Sequence, residues 1–431
     1  MIALDRTKAP SIKQIAHFSI EKPNRQTLPN GMTLNVINSG TEDVVRFDLV
    51  IHSGQLEQTQ PLQAMFANRM LREGTLKYNS TDIAEKLDYY GAWLDLSSSV
   101  NCGFITLYSL GKYFPQTMEI LASMVKEPVY PEREMKIVID MNKHHFMVNN
   151  QRVDVLARKR LNQLLFGKDH PLGHFAALED YDQISVESLK HYYTDNYSSN
   201  NCTAYISGKV SDQVLKCIET HFGSEAWGSQ TARKETIMMA PNTADVKRVF
   251  IEKEDALQSS IKMGCFVPER EHKDYLDLRV LTTLFGGYFG SRLMSNIRED
   301  KGYTYGIVAG VLSYPGCSIM GISTEADNQY VEPLISEVYN EMDKLCTDKV
   351  PEEELEMVRN YMLGDMCRAY ERAFSLSDAW IFIETSNLDE DFFDRSVQSI
   401  RGINAERIQE LAQKYFIKGK LIEVVAGKKN K

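Results

Sequence analysis

Apolar positions near the start of the chain alternate between the two-residue period of strands and the 3.6-residue period of helices. A helical pattern covers about residues 61–72, and a second helix begins after a cap formed by Asn79 and Ser80. Two strand-like runs follow at 92–99 and 103–110, joined by a polar turn. Before these elements, four apolar residues at every second position predict a half-buried strand: Val45, Phe47, Leu49 and Ile51.

Long amphipathic helices dominate the next part of the chain. They are predicted at about 114–126, 131–149 and 153–166, and the last is followed by Gly167 in a C-cap position. A further helix near 185–197 and a strand at 202–208 complete this half of the chain.

The second half of the chain repeats this order of elements. A strand is predicted at 261–267, a helix near 275–285, a strand pair near 304–324 and a helix near 330–345. One motif recurs at 131–135 and at 351–355. In each case a proline is predicted in the first turn of a helix and acidic residues follow it.

This repetition predicts two copies of one α+β unit. A polar stretch at 223–248 has the composition of a linker between the copies. We therefore expect an N-terminal domain at 1–230 and a C-terminal domain at 245–431.

Composition and charge narrow the class of protein. Of 431 residues, 43% are hydrophobic, and 49 Lys and Arg against 59 Asp and Glu give a net charge of −10 that is scattered along the chain. This balance argues against binding of duplex nucleic acid. No run of about 18 apolar residues predicts a membrane span, and the N-terminus lacks the apolar core of a signal peptide, so we expect a cytoplasmic protein. Seven dispersed cysteines without a CxxC pair are expected to be reduced.

Several common catalytic and cofactor motifs are absent from the sequence. It contains neither a GxSxG motif nor a phosphate-binding P-loop, and the glycines at 286–290 do not form a GxGxxG pattern after a strand. His144 and His145 are adjacent on a predicted helix, so their side chains point about 100° apart and cannot chelate one ion without other ligands. His170 and His174 flank a Pro and a Gly in a turn, which favours a structural loop.

Several short motifs follow one another along the chain: Leu28-Pro29-Asn30-Gly31-Met32, a strand that ends at Ser53-Gly54, Glu57, a helix that ends at Gly74-Thr75, the segment HPLGH at 170–174 and the run at 191–208. Over about residues 25–428 the chain resembles the pitrilysin/insulinase-type zinc peptidases, which include the mitochondrial processing peptidase and the core proteins of the cytochrome bc complex. The resemblance implies an α+β fold of two homologous domains, each a mixed β-sheet covered by α-helices, that face each other as the halves of a clamshell.

The zinc-binding motif of that family is degenerate in this chain. Active members carry His-x-x-Glu-His on the helix before the Gly-Thr pair, where two histidines bind zinc and the glutamate activates the bound water. Counting back from Gly74, these three functional positions hold Met65, Asn68 and Arg69. A third ligand, a glutamate, would fall near 143–145, and the chain has no glutamate between positions 134 and 179. We therefore predict no catalytic residue and no metal on this chain.

The second signature of the family is present. Arg298 and Tyr305 match an arginine and a tyrosine, separated by six residues, that project from the C-terminal domain toward the zinc site. The resemblance implies that the arginine anchors the substrate backbone and that the tyrosine hydrogen-bonds the tetrahedral intermediate, which suits a guanidinium fork and a phenol. Three preceding glycines are expected to allow a tight turn or close packing around a peptide: Gly286, Gly287 and Gly290. Without the resemblance, the Arg-Glu-Asp-Lys run would indicate a solvated face and Tyr305 a half-buried core residue.

Three functional hypotheses follow from the resemblance. The first is a non-catalytic, substrate-contacting subunit of a heterodimeric zinc endopeptidase, in which zinc and the His-x-x-Glu-His motif belong to a homologous partner subunit and activity requires the pair. The second is a catalytically inactive peptide-binding or scaffold homodimer of the same fold. The third is an autonomous zinc peptidase with relocated ligands, which predicts stoichiometric zinc in the purified chain.

Overall fold

Two mixed β-sheets, one in each half of the chain, form the centre of the protein. The structure is a computed structural model, and it describes residues 7–8, 15, 18–229 and 239–429. Each sheet contains one parallel pair of strands among antiparallel pairs and packs against helices. The predicted fold class, α+β with two units that each contain a mixed sheet covered by helices, is confirmed.

The first half contributes a six-stranded sheet and most of the helices that cover it. Its strands are β1 (Asn24–Thr27), β2 (Thr33–Asn38), β3 (Val44–Ile51), β4 (Trp93–Ser98), β5 (Gly103–Leu110) and β6 (Cys202–Gly208). In space they follow the order β1-β2-β6-β3-β5-β4. The helices are α1 (Gln63–Arg69), α2 (Ser80–Tyr89), α3 (Phe114–Lys126), α4 (Glu132–Asn149), α5 (Val153–Phe166), α6 (Val186–Asn196) and α7 (Asp212–Ile218).

The second half contributes a five-stranded sheet. Its strands are β7 (Arg248–Glu252), β8 (Gln258–Val267), β9 (Thr304–Tyr314), β10 (Cys317–Asp327) and β11 (Ile422–Gly427). They follow the order β7-β11-β8-β10-β9. The helices are α8 (Tyr275–Thr282), α9 (Val331–Thr347), α10 (Glu352–Tyr370), α11 (Ala373–Thr385), α12 (Phe392–Gly402) and α13 (Ala405–Tyr415).

The two sheets share one topology. The order β7-β11-β8-β10-β9 corresponds strand by strand to β2-β6-β3-β5-β4, with one parallel pair first and antiparallel pairs after it. The predicted repetition of one unit is therefore confirmed. The boundary predicted between residues 230 and 245 stays a prediction, because residues 230–238 lie outside the described residues.

Local signals at the helix ends agree with the structure, with one difference. The Asn79 side chain accepts a hydrogen bond from the Asp82 amide at 2.9 Å and caps α2, and Gly167 follows α5 with φ of +90°. Pro131 and Pro351, which we expected in the first turn, lie immediately before α4 and α10 with extended backbone. The difference is small, since a proline just before a helix leaves the same amide hydrogen bond unmade.

Each sheet is covered on one face by a helix from the other half of the chain. Helix α5, from the first half, packs on the second sheet, where Leu161 and Leu165 lie against Gly264 of β8. Helix α11, from the second half, packs on the first sheet, where Leu376 and Trp380 share an apolar cluster with residues of β2, β3 and β6. The two halves therefore exchange equivalent helices.

This exchange changes the environment of β3. The alternation of apolar and polar residues predicts a strand with one solvated face, and that prediction is wrong, because β3 is buried on both faces from Val45 to Ile51. Its outward residues Arg46 and Asp48 are covered by α11, and Arg46 donates a hydrogen bond to Asp378 of that helix. An alternating pattern indicates solvent only where no other element covers the polar face.

The predicted loop at 170–174 has a structural role. His170 is buried, stacks on Phe166 with ring centroids 5.0 Å apart, and contacts the carbonyl oxygen of Met239 through Nε2 at 2.9 Å. Its Nδ1 accepts a hydrogen bond from the Leu172 amide. The loop thereby holds Met239, in the predicted linker, against Phe166 at the end of α5.

Two further features concern the protein as a whole: its capacity to span a membrane and the state of its cysteines. Among the described residues, no helix is both long enough and apolar enough to cross a membrane. All seven cysteines are free.

Candidate functional site

The degenerate zinc-binding positions lie on α1, and Asn68 is turned into the sheet. Asn68 is buried, and its Nδ2 donates hydrogen bonds to the carbonyl oxygens of Ser97, at 2.6 Å, and Phe104, at 3.3 Å. Ser97 and Phe104 are paired across β4 and β5. Its Oδ1 has no hydrogen-bond partner in the described part of the chain. The residue at the general-base position therefore serves as a donor that joins α1 to the edge of the first sheet.

The other two positions of the motif are equally unsuited to a metal. Met65 packs against the apolar core of the first half, and Arg69 is exposed. Where the third ligand would lie, Lys143 pairs with Asp182, and His144 and His145 are exposed on α4. Across the described residues, no group of three or more His, Cys, Asp or Glu side chains could hold a metal ion. The residues present do not fit a zinc ion.

A cluster of buried tyrosines holds α1 in place, which the sequence motifs did not indicate. The Tyr130 hydroxyl donates to the Ala67 carbonyl at 3.0 Å, and the Tyr192 hydroxyl donates to the Gly54 carbonyl at 2.8 Å. Burial raises the pKa of both tyrosines, so both phenols remain protonated donors at neutral pH. Their hydrogen bonds are structural.

Arg298 is presented as an unpaired cation in the second half. It lies on a π-helical segment, Met294–Asp300, and its guanidinium carbon is 4.8 Å from the ring centroid of Phe289. Arg298 is half-buried, and its guanidinium has no hydrogen bond or ion pair within the described ranges, although its backbone carbonyl accepts a hydrogen bond from the Gly302 amide at 3.2 Å. A cation held over an aromatic face keeps its N–H donors available to a ligand.

Tyr305 stands near the start of the edge strand β9. Its side chain is 90% exposed and it makes no hydrogen bond with Arg298. Among the residues that the structure describes, β9 pairs with β10 alone, so its other edge has backbone groups without partners in the sheet. The described contacts do not join Arg298 or Tyr305 to the degenerate positions of α1.

The three glycines of the second signature pack closely against protein atoms. A Cβ at Gly286 would lie 2.6 Å from the Cβ of Ala309, and one at Gly290 would lie 2.9 Å from the ring of Tyr288. A Cβ at Gly287 would lie 3.2 Å from Thr283. None of the three has a positive φ. Their absent side chains let the loop lie against β9 and let Tyr288 fold over its own backbone.

This loop places one aromatic ring beside Arg298 and another against α10. Tyr288 stacks on Tyr361 of α10, with ring centroids 4.8 Å apart and planes inclined by 28°. Phe289, the next residue, lies under Arg298 and is 59% exposed. Sequence reasoning missed both contacts, because Tyr361 lies far along the chain, although the two adjacent aromatics between the glycines were a visible signal.

Polar contacts fix the position of the loop on α10. Arg292 donates from Nε and from a terminal nitrogen to the two carboxylate oxygens of Glu354, at 2.8 and 2.9 Å. Bidentate pairs of this kind are among the stronger and more directional contacts in proteins. Asn296 donates to Glu337 and Glu341 of α9, at 3.1 and 2.7 Å. The segment that carries Arg298 is therefore anchored to two helices.

Comparison with known proteins assigns the two halves of the chain to two parts of one protein family. Residues 34–170 match the sequence model described as insulinase (peptidase family M16), and residues 183–362 match the model described as the peptidase M16 inactive domain. The chain belongs to peptidase family M16. The first M16 match contains the degenerate positions on α1, and the second contains Arg298, Tyr305 and the glycine loop.

Several M16 relatives are similar over most of their length. An uncharacterized zinc protease of Bacillus subtilis, YmxG, is 24% identical over 397 residues, which are 91% of this chain and 95% of that protein. A protein of Helicobacter pylori described as a non-peptidase homolog, YmxG, is 26% identical over 250 residues, 57% of this chain and 56% of the relative. The crystal structure of a peptidase M16 inactive domain from Pseudomonas fluorescens has a TM-score of 0.84 at 18% identity and covers 95% of this chain and 98% of its own. That likeness shows the fold.

Proposed function

We propose that this chain is a non-catalytic, substrate-contacting subunit of a zinc endopeptidase of family M16. A homologous subunit that carries His-x-x-Glu-His supplies the zinc, and the two chains together cleave peptides. The observation that carries this proposal is the contrast between two sites on one chain. Asn68 is committed to backbone carbonyls, whereas the guanidinium of Arg298 lies over the ring of Phe289 and has no hydrogen-bond or ion-pair partner among the residues that the structure describes.

The chemistry of Arg298 supports a role in binding. A half-buried guanidinium has lost part of its hydration, and within the described part of the chain the contact it gains in return is with the face of Phe289. A carbonyl or carboxylate oxygen of a peptide supplies the missing hydrogen bonds. We assign Arg298 to anchoring of the substrate backbone.

The position of Tyr305 suits a donor to a partner's reaction centre. Its exposed phenol projects from β9 and makes no hydrogen bond with the residues that the structure describes, so it can donate to an oxyanion that forms elsewhere. The seven free cysteines fit a reducing compartment, and we place the protein in the cytoplasm.

A second candidate function is a peptide-binding or scaffold homodimer without a catalytic partner. The relative described as a non-peptidase homolog favours it. The two candidates differ in the partner they require, since a scaffold needs no subunit with His-x-x-Glu-His.

The test is co-purification from the native host, followed by peptide cleavage with each chain alone and with the pair. The pair is expected to cleave and this chain alone is not. In the reconstituted pair, Arg298→Gln is expected to lower kcat/KM about 100-fold, and Tyr305→Phe to lower kcat by a similar factor. Arg368→Gln and Tyr89→Phe, at an exposed arginine and an exposed tyrosine elsewhere, are the controls. Full activity of both site variants would contradict the proposal, and a homodimer without any peptidase partner would favour the scaffold.

A further inference from the structure

The helical turn that carries Arg298 is closed by two independent contacts. In the π-helical segment Met294–Asp300, the backbone amide of Lys301 donates to the carbonyl oxygen of Asn296 at 3.1 Å. The side chains of the same two residues meet at Glu337 of α9. Nδ2 of Asn296 donates to Oε2 of Glu337 at 3.1 Å, and Nζ of Lys301 lies 3.4 Å from its Oε1. One carboxylate of α9 therefore holds both ends of the turn, and π turns occur often at functional sites.

Glu337 is itself held in place by a helix of the core. The next residue of α9, Val338, is fully buried, and the Glu337 side chain is only 21% exposed. Burial disfavours the charged form of Glu337, but the hydrogen bond from Asn296 and the charge of Lys301 outweigh that effect and lower its pKa. Glu337 is therefore ionised at neutral pH and accepts both contacts at once.

A second carboxylate of α9 binds the same amide group. Nδ2 of Asn296 also donates to Oε1 of Glu341 at 2.7 Å, and Glu341 is buried and accepts from Lys344 at 2.7 Å. Both hydrogens of the Asn296 amide are thus committed to α9. Since residues two apart on a helical turn point to roughly opposite sides, Arg298 faces away from α9 and lies over Phe289.

We propose that Glu337 is a positioning residue for Arg298: through the turn that it holds, it keeps the guanidinium over Phe289, in the orientation that meets a substrate oxygen. The inference rests on the proposed role of Arg298 in substrate contact, and it adds the group that sets the geometry of that contact. A bidentate pair between Glu337 and Arg298 would have to displace Asn296 and Lys301 from the two carboxylate oxygens. The contacts that fix the turn thereby leave the N–H donors of Arg298 to a ligand.

The first measurement follows the guanidinium by NMR and needs no partner subunit. In the full-length chain with isotope-labelled arginine, the ring current of Phe289 shifts the Nε–H resonance of Arg298, which is assigned by its loss in Arg298→Gln. Phe289→Leu gives the position of this resonance without the ring. Glu337→Ala is expected to move the resonance toward that position.

The matched control is Glu332→Ala. Glu332 is a glutamate of the same helix, α9, and it also forms an ion pair, with Arg248, but at an exposed position. It is expected to leave the Arg298 resonance unchanged. Cooperative thermal melts of Glu337→Ala and Glu332→Ala at similar temperatures show that a loss of fold does not cause the difference.

A double-mutant cycle in the reconstituted pair tests whether Glu337 acts through Arg298. Glu337→Ala alone is expected to lower kcat/KM about tenfold, because a misplaced anchor loses part of its binding geometry. In the Arg298→Gln background, the same substitution is expected to have no further effect. A purely structural role would lower kcat/KM by the same factor in both backgrounds.

Two results would overturn the inference. If Glu337→Ala leaves the Arg298 resonance where it is, Glu337 does not position the guanidinium. If Glu337→Ala lowers kcat/KM equally with and without the arginine, it acts by another route. Full activity of Arg298→Gln alone would contradict the proposed substrate contact instead, and the resonance would still decide whether Glu337 holds the guanidinium.

Discussion

Asn68, at the general-base position of the degenerate motif, donates a hydrogen bond of 2.6 Å to the carbonyl oxygen of Ser97 on β4. The same nitrogen donates to the Phe104 carbonyl on β5, so one amide group joins the helix to the two strands at the edge of the first sheet. The residue at this position is therefore part of the structure that holds the edge of the sheet. A carboxylate at this position would face two carbonyl oxygens that need a donor.

The first prediction concerns Asn68→Asp, which keeps the shape and removes the donor. The introduced carboxyl is expected to stay protonated when buried against the carbonyls, with a pKa above the ordinary value of about 3.9. Stability is therefore retained below about pH 4 and decreases as the pH rises, because ionisation becomes possible only on unfolding. At pH 7 we expect a loss of about 2–3 kcal/mol in the free energy of unfolding, measured by urea denaturation across pH.

The control for that variant is Asn404→Asp. The Asn404 side chain caps α13 as an acceptor from the Arg407 amide at 2.9 Å, so a carboxylate replaces it without loss. Equal stability of Asn68→Asp and wild type at pH 7 would mean that the amide of Asn68 is not needed as a donor.

The second prediction concerns metal content. The purified chain is expected to carry no stoichiometric zinc by plasma mass spectrometry after dialysis against a zinc buffer, since Met65, Asn68 and Arg69 offer no ligand set. The triple variant Met65→His, Asn68→Glu, Arg69→His is the comparison. It still lacks a third protein ligand and places a carboxylate against the carbonyls of β4 and β5, so we expect it to remain inactive and less stable. One zinc ion per wild-type chain would revive the hypothesis of an autonomous peptidase.

Glu384 gives a third prediction, at the contact between α11 and the first sheet. It accepts hydrogen bonds from Thr203 and Tyr205, and its Oε1 lies 3.2 Å from Nε2 of His52. Burial disfavours its charged form, but the hydrogen bonds outweigh that effect and lower the pKa of Glu384. Its contribution to stability is therefore full above the ordinary pKa of about 4.3 and is lost as the pH falls through the lower folded value.

We accordingly expect Glu384→Gln to reduce the free energy of unfolding by about 1–3 kcal/mol at pH 7. The difference from wild type should shrink below pH 4, as the wild-type carboxylate becomes protonated in both states. Glu390→Gln, at an exposed carboxylate paired with Lys22, is the control and should change stability by less than about 1 kcal/mol. A pH-independent difference would show that the charge of Glu384 is not what stabilises the contact.

His170 provides a fourth prediction. Burial lowers its pKa below the ordinary value of about 6.5, although a hydrogen bond with the Met239 carbonyl acts in the opposite direction. The unfolded chain therefore takes up a proton first, and stability falls as the pH decreases from about 6.5 toward the folded pKa. His170→Gln should remove this part of the pH dependence in thermal melts. The exposed His191 is the control, and His191→Gln should leave the acid side of the profile unchanged.

Much of the fold could be predicted from the sequence, because the local spacing of apolar residues indicates most of the helices and strands. Most helices and strands of the first half occur where apolar spacing and caps such as Asn79 place them, whereas β1, β2 and α7 were not predicted. What could not be predicted depends on residues far apart in the chain. In the sequence, Arg46 and Asp48 indicate a solvated face of β3. The structure shows that α11 covers this face and that its Asp378 accepts a hydrogen bond from Arg46.

The candidate site shows the same division. The positions at which zinc ligands are missing were predicted by counting from Gly74, since the motif of the family lies on one helix, and that assignment stays a prediction. The hydrogen bonds that Asn68 donates to β4 and β5 could not be predicted from the sequence, because they depend on the packing of α1 against the sheet. Likewise, Arg298 was indicated by its motif, whereas the ring of Phe289 beneath it follows from the course of the glycine loop.

The exchange of α5 and α11 leads to the last prediction, that neither half of the chain folds alone. A fragment of residues 1–229 lacks α11 and would therefore expose Arg46 and Asp48 on the outer face of β3. It would also expose the apolar face of α5, which contacts Gly264 of the second sheet in the whole chain. A fragment of residues 239–431 would expose the matching surfaces of the second sheet. Each separate fragment is expected to aggregate or to melt without a cooperative transition, whereas co-expressed fragments should assemble into a complex of native circular dichroism. A monomeric fragment 1–229 with a cooperative thermal transition would show that the first half is stable without the helix it receives from the second.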